Sequence, residues 1–118
     1  MIELKIYHNP RCSKSRLALQ IIREHGLEPT VIEYLKKPLT KFELENISRL
    51  LNKRPMDFVR KNEADFKENS LNNIIEDDVE LINAMLKFPK IIERPIFLSK
   101  EKAVIGSPPE NVLKMIDL

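Results

Sequence analysis

Residues 6–16 have the sequence Ile6-Tyr7-His8-Asn9-Pro10-Arg11-Cys12-Ser13-Lys14-Ser15-Arg16, which contains the end of a predicted strand and the start of a predicted helix. Charged and apolar residues alternate up to Tyr7, which predicts a strand. Asn9-Pro10 ends that strand, and a helix is predicted from about Ser13 to His25, with Gly26 as its stop signal. A polar loop that carries Cys12 therefore lies between a strand and a helix.

A second strand is predicted at Thr30-Val31-Ile32-Glu33-Tyr34, because this segment is β-branched and aromatic. A strand, a crossover helix and a second strand favour a parallel pair. Within the helix, the predicted buried face is formed by Leu17, Ala18, Ile21 and Ile22. The first third of the chain is thus typical of an α/β protein.

The middle of the chain is predicted to be helical. Thr40 and Glu43 have the spacing of a capping box, in which each side chain accepts from the other residue's backbone N–H. Asp77 and Glu80 indicate a second helix start, and Pro89 ends that helix. These helices form an insertion after the second strand.

The end of the chain returns to strands. Ile96-Phe97-Leu98 and Ala103-Val104-Ile105 flank a short polar turn, which is the spacing of a hairpin. Ser107-Pro108-Pro109-Glu110 predicts a last helix, with Ser107 as its N-cap. The fold class is therefore α/β, with one sheet and a helical insertion.

Composition bounds the possible functions. The chain has 118 residues, which we expect to form a single domain over 1–118. A net charge of +2 does not indicate a nucleic-acid binder, and 2 glycines exclude a glycine-rich phosphate loop. One cysteine excludes a disulfide framework and a cysteine-rich zinc site, so we expect no metal. No signal peptide or membrane span is predicted, so we expect a cytoplasmic protein.

Cys12 is the first candidate for chemistry. At the start of a helix, exposed N–H groups and the helix dipole stabilise an anion. Basic neighbours, among them Arg11 and Lys14, favour the thiolate, which is the nucleophilic form of cysteine. The alternative is a buried, inert thiol, but the neighbours of Cys12 are polar and basic rather than apolar. We therefore interpret Cys12 as reactive.

Three further residues are candidates for assisting Cys12. His8 either donates a proton or orients the thiolate, or it is a loop residue that caps a backbone carbonyl, and the sequence leaves these alternatives open. Arg60 and Arg94 have the side chain that binds a tetrahedral oxyanion through paired hydrogen bonds, although an isolated arginine is usually a solvated surface charge. Arg94 precedes Pro95, and a cis bond there would bring the backbone close to the start of the first helix.

The chain resembles the glutaredoxin-coupled arsenate reductase family. The resemblance begins with residues 6–16 and continues, in order, at Glu28-Pro29-Thr30, Tyr34-Leu35, Val59-Arg60-Lys61-Asn62, Glu93-Arg94-Pro95-Ile96 and Gly106-Ser107-Pro108-Pro109-Glu110-Asn111-Val112-Leu113. It covers nearly the whole chain. It implies a thioredoxin-like mixed sheet with a helical insertion after the second strand.

The resemblance also implies a reaction. The Cys12 thiolate would attack arsenate that is held by Arg60 and Arg94. Glutathione would then add to the covalent adduct as a co-substrate, and glutaredoxin would remove it as the protein partner, with no bound cofactor. Because a single cysteine has no internal partner thiol, an external one is needed in any case.

The family also assigns roles to the remaining candidates. His8 and Ser15 would support the thiolate, and Pro95 would be the cis proline. Members that reduce arsenate well carry a third arginine where this chain has Ser107. With Ser107 in the substrate site, binding of the oxyanion is expected to be weaker.

Two other functions compete with arsenate reduction. One is a glutathione-linked thiol oxidoreductase with another substrate, although Arg60 and Arg94 favour an oxyanion. The other is an Spx-type regulator that binds RNA polymerase. Typical Spx-type proteins carry a Cys-x-x-Cys pair at this helix start, whereas here Cys12 is followed by Ser15 at the pairing position.

Overall fold

In the computed structural model, residues 3–116 are described. This part of the chain contains four strands, namely β1 (Lys5–Tyr7), β2 (Thr30–Ile32), β3 (Ile96–Leu98) and β4 (Ala103–Ile105). It also contains five α-helices, namely α1 (Ser13–Glu24), α2 (Lys41–Leu51), α3 (Ala64–Glu68), α4 (Asp78–Lys87) and α5 (Leu113–Ile116). Short 3-10 helices lie between them at Pro55–Asp57, Leu71–Ile74, Pro89–Ile91 and Pro109–Val112.

The four strands form one mixed sheet in the order β2-β1-β3-β4. β1 pairs in parallel with β2, and Ile6 lies opposite Val31. β1 also pairs antiparallel with β3, where Ile6 lies opposite Phe97, and β3 pairs antiparallel with β4. The predicted parallel pair, the predicted hairpin and the thioredoxin-like α/β class are therefore confirmed.

The chain divides into two compact units. The first unit consists of residues 1–37 and 94–118, of which 3–37 and 94–116 are described, and it holds the whole sheet with α1 and α5. The second unit is Pro38–Glu93, which holds α2, α3 and α4. The predicted helical insertion after the second strand is the second unit. That both units form one domain over 1–118 stays a prediction.

The core of the first unit lies between α1 and the sheet. The buried stripe of α1 is Ser15, Ala18, Leu19 and Ile22, which repeats at the spacing of one helix face. It packs with residues from both ends of the chain, namely Ile6, Phe97 and Val112. The buried face of α1 is rotated relative to the predicted one, since Leu17, predicted to be buried, is 50% exposed. A polar residue, Ser15, takes a position in the stripe that apolar periodicity alone does not indicate.

Helix starts in the second unit follow the sequence signals. The Thr40 hydroxyl accepts from the Glu43 backbone N–H at 3.1 Å, and the Glu43 carboxylate accepts from the Thr40 N–H at 3.0 Å. The Asp77 carboxylate accepts from the Glu80 N–H at 3.1 Å. Both predicted caps are confirmed. The apolar core of this unit includes Leu44, Ile47, Phe58, Leu81 and Met85, all fully buried.

The prediction that Ser107 caps the last helix is wrong. The segment begins instead as the 3-10 helix Pro109–Val112, with Pro108 at its N-cap position. The first backbone hydrogen bond of this segment runs from the Asn111 N–H to the Pro108 carbonyl at 3.0 Å, so the helix begins one residue later than predicted. The Ser107 hydroxyl accepts from the Lys14 ammonium instead.

Gly106, directly after β4, lies against Pro95, directly before β3. Its N–H donates to the Pro95 carbonyl at 2.8 Å. A Cβ at this position would lie 2.8 Å from Cγ of Pro95 and 3.3 Å from Cβ of Ala18. The close approach therefore requires a residue without a side chain.

We expect Gly106→Ala to destabilise the protein. Overpacking of this kind typically costs about 1–3 kcal/mol, and here the obstacle is a proline ring that cannot rotate away. Urea unfolding followed by circular dichroism gives the change. The exposed Lys100→Ala, on the turn between β3 and β4, serves as control and should change stability by less than about 0.5 kcal/mol. Equal stability of Gly106→Ala and the control would contradict the packing described for Gly106.

Candidate active site

Cys12 occupies the N-cap position of α1. Its backbone is extended, with φ −93° and ψ 122°. The Cys12 carbonyl accepts from the Arg16 N–H at 3.0 Å, which is the first turn of the helix. The sulfur is partly exposed and accepts hydrogen bonds from the backbone N–H groups of Lys14 and Ser15. The thiol is therefore accessible and lies over the positive end of the helix.

The pKa of the Cys12 thiol is lowered from its ordinary value. Partial burial acts to raise this pKa, because it disfavours the charged form. The hydrogen bond from the Ser15 backbone, the hydrogen bond and charge of Arg94, and the hydrogen bond from the Lys14 backbone together outweigh burial. The site therefore favours the thiolate, which is the reactive form.

His8 reaches Cys12 through Ser15. The His8 Nδ1 atom and the Ser15 hydroxyl oxygen lie 2.6 Å apart, and both residues are buried. The Ser15 hydroxyl also accepts from the Asn9 backbone N–H at 3.1 Å. Since the Ser15 backbone N–H in turn donates to the sulfur, this arrangement favours the interpretation of His8 as an orienting group. His8 does not cap a carbonyl through Nδ1.

Burial lowers the pKa of His8. The nearby carboxylate of Glu33 opposes this effect, whereas the charges of Arg23 and Arg16 add to it. His8 is therefore neutral at neutral pH. In the neutral ring, Nδ1 can accept the Ser15 proton, so the serine oxygen is fixed by one donor and one acceptor.

Sequence reasoning did not identify the turn that holds the loop before α1. The Asn9 side-chain oxygen accepts from the Arg11 N–H at 3.0 Å, and the Asn9 carbonyl accepts from the Cys12 N–H at 3.0 Å. The Arg16 guanidinium donates to the Pro10 carbonyl at 2.9 Å. The signal was available, because Asn followed by Pro commonly starts such a turn.

Arg94 lies two residues before the start of β3, and this position places it beside Cys12. The Arg94–Pro95 peptide bond is cis, as predicted. The Arg94 side chain hydrogen-bonds to the Cys12 sulfur. Pro95, the next residue, is buried. A residue from the end of the chain thus completes the surroundings of a thiol near its start.

Arg60 and Ser107 have different surroundings. Arg60 belongs to the second unit, where its Nε lies 3.5 Å from a Glu63 carboxylate oxygen. Its role as an oxyanion ligand stays a prediction. Ser107 belongs to the first unit, and its hydroxyl accepts from the Lys14 ammonium at 3.1 Å.

Residues 3–116 contain no group of three His, Cys, Asp or Glu side chains arranged to hold a metal ion. Within the same range, no helix has the length and hydropathy needed to cross a membrane.

We expect Arg94→Ala to raise the pKa of Cys12, because the substitution removes both a hydrogen bond to the thiolate and a nearby positive charge. The rate of alkylation by iodoacetamide, measured against pH, gives this pKa directly since the chain has one cysteine. Arg11→Ala is the matched control: it removes an exposed cation next to Cys12 in sequence. An equal shift in both variants, or none in Arg94→Ala, would contradict the contact.

Comparison with known proteins places the chain in a family. The ArsC family model matches residues 7–115. The chain is 40% identical over 113 residues to a protein of Neisseria meningitidis serogroup B named arsenate reductase, covering 95% of this chain and 97% of the relative. It is 36% identical over 116 residues to an arsenate reductase of Escherichia coli K12, covering 98% of this chain and 82% of the relative.

A solved structure, an arsenate reductase from Vibrio cholerae, superimposes with a TM-score of 0.91 at 38% identity. The match covers 96% of this chain and 97% of that one. Agreement of sequence and fold over almost the whole length leads to one conclusion: this chain belongs to the ArsC family.

Proposed function

We propose that this protein reduces arsenate to arsenite, using Cys12 as the nucleophile and glutathione and glutaredoxin as external reductants. The observation that carries the proposal is the contact between the Cys12 sulfur and Arg94 at the start of α1. It combines a nucleophile with a cation suited to an oxyanion. The choice of arsenate as the substrate is supported by two relatives that are named arsenate reductase.

The first step forms a bond between sulfur and arsenic. The Cys12 thiolate attacks the arsenic(V) atom of arsenate, and one oxygen leaves as water after it has been protonated. No electrons have yet been transferred to arsenic. Arg94 would stabilise the negative charge of the oxyanion during this attack.

The second step brings in glutathione. Its thiol adds to the arsenic of the Cys12 adduct and displaces another oxygen as water, which gives an arsenic atom bonded to two sulfurs. A glutaredoxin thiolate then attacks the glutathione sulfur. A mixed disulfide forms, and the electron pair of the broken arsenic–sulfur bond stays on arsenic, which becomes arsenic(III).

The last step releases the product. Water displaces Cys12 from arsenic(III), arsenite leaves and the thiol is regenerated. Both electrons thus come from the glutathione and glutaredoxin thiols. This division of work fits a chain that has one cysteine and therefore no internal thiol to resolve the adduct. Such partners imply a reducing compartment, the cytoplasm.

The remaining candidates assist without bonding to arsenic. His8 and Ser15 would be positioning residues, because the Ser15 hydroxyl is fixed between His8 and the Asn9 backbone while its N–H reaches the sulfur. Arg60 would contribute a second guanidinium to the oxyanion.

A coupled assay with arsenate, glutathione, glutaredoxin, glutathione reductase and NADPH tests the proposal. We expect NADPH oxidation that depends on arsenate, on glutathione and on glutaredoxin. Cys12→Ser should fold, with an unchanged circular dichroism spectrum, but should show no turnover above the protein-free rate, because serine is a far weaker nucleophile at neutral pH. Turnover by Cys12→Ser, or none by the wild-type protein, would overturn the proposal.

A further inference from the structure

One hydrogen bond in the first unit joins residues 93 positions apart. The Lys14 ammonium donates to the Ser107 hydroxyl at 3.1 Å. Lys14 lies in the first turn of α1, two residues after Cys12, and Ser107 follows β4. An exposed lysine is ordinarily a mobile, solvated charge, so a defined partner here requires an explanation.

The Lys14–Ser107 contact is one of several that connect the residues around the thiol. The Cys12 sulfur accepts hydrogen bonds from the Arg94 side chain and from the Lys14 backbone N–H. The residue after Arg94 is Pro95, whose carbonyl accepts from the Gly106 N–H at 2.8 Å. Ser107 follows Gly106 and accepts from Lys14, so the Lys14 ammonium and the Arg94 guanidinium are brought to the same end of α1.

The Ser107 side of this set is anchored by its own backbone. The Asn111 side-chain amide donates to the Ser107 carbonyl at 3.1 Å and to the Ile105 carbonyl at 3.2 Å. Gly106, between them, packs against Pro95 and leaves no space for a side chain. The Ser107 hydroxyl is therefore an acceptor in a fixed position, and its hydrogen bond restrains the flexible side chain of Lys14.

The hydrogen bond leaves donors for a ligand. An ammonium group has three N–H donors, and the bond to Ser107 uses one. The Ser107 hydroxyl acts as an acceptor in this bond, so its own proton is available to an anion. A lysine and a serine together thus present a positive charge and several donors beside the thiol.

We propose that Lys14 is a further oxyanion-binding residue of the Cys12 site and that Ser107 positions it. This inference rests on the proposed reduction of an oxyanion at Cys12. Lys14 acts on the substrate through its ammonium, whereas only its backbone N–H acts on the sulfur. Replacing the side chain should therefore weaken anion binding and leave the thiol itself almost unchanged.

Protection of Cys12 from iodoacetamide by sulfate measures anion binding without turnover. In Lys14→Gln, the half-protecting sulfate concentration should rise about threefold to fivefold, the size expected when one exposed charged contact is lost. The alkylation rate without sulfate should stay within about twofold of wild type, because the backbone N–H remains. In Lys14→Arg, which keeps the charge, protection should stay close to wild type.

Two further variants complete the test. Lys102→Gln, in the turn between β3 and β4, makes the same change in net charge and should leave sulfate protection unchanged. Ser107→Ala should weaken protection by less than Lys14→Gln, since the charge remains but its position is no longer held. In the coupled assay, Lys14→Gln should raise KM for arsenate and change kcat much less.

The outcomes separate this inference from the proposed function. If sulfate protects Lys14→Gln as well as wild type, or does not protect wild-type Cys12 at all, Lys14 is not an anion ligand. If Lys102→Gln lost sulfate protection to the same extent as Lys14→Gln, a specific role of Lys14 would be contradicted as well. If the wild-type protein shows the sulfate effects but no arsenate-dependent turnover, the proposed function fails while the anion site stands.

Discussion

The hydrogen bond between Arg94 and the Cys12 sulfur links the two ends of the sequence that build the first unit. It forms because β3 pairs antiparallel with β1, which sets the entrance of β3 beside the end of β1. The charge of the thiolate and the charge of the guanidinium stabilise each other at that point. The second unit is inserted between β2 and β3. The two sequence segments of the first unit are joined by the β1–β3 pairing and by the core that α1 shares with Phe97 and Val112.

Support for the thiol extends into the core. Ser15 is 0% exposed and sits in the buried stripe of α1. A buried hydroxyl without partners costs about 1–3 kcal/mol, and here the Asn9 N–H and His8 provide them. The loop before α1 thus satisfies a polar atom in the core and shapes the site at the same time. Stability and reactivity depend on the same hydrogen bonds.

Local signals predicted most of the fold and part of the site. Alternation, turn residues and capping pairs such as Thr40 with Glu43 identified strands and helix starts, because each depends on neighbours in sequence. The cis bond before Pro95 was expected from the family resemblance and not from a local signal. The buried face of α1 was misplaced at Leu17, since the polar Ser15 takes a core position that only tertiary partners make favourable.

Contacts between distant residues could not be predicted from the sequence. Ser107 looked like a helix cap because its local pattern fits one, yet its partner is Lys14, and no local signal reports that contact. The Ser15–His8 pair likewise depends on the loop folding back. Residue type and local pattern indicate which side chains can react. The side chains that surround them are set by tertiary contacts.

The folded first unit, rather than the local sequence, stabilises the Cys12 thiolate. The decisive measurement is the pKa of Cys12, obtained from the pH dependence of alkylation in buffer and again in concentrated urea. We expect a lower pKa in the folded protein, because unfolding removes the α1 amides and Arg94 from the sulfur. An equal or higher pKa in the folded protein would contradict it.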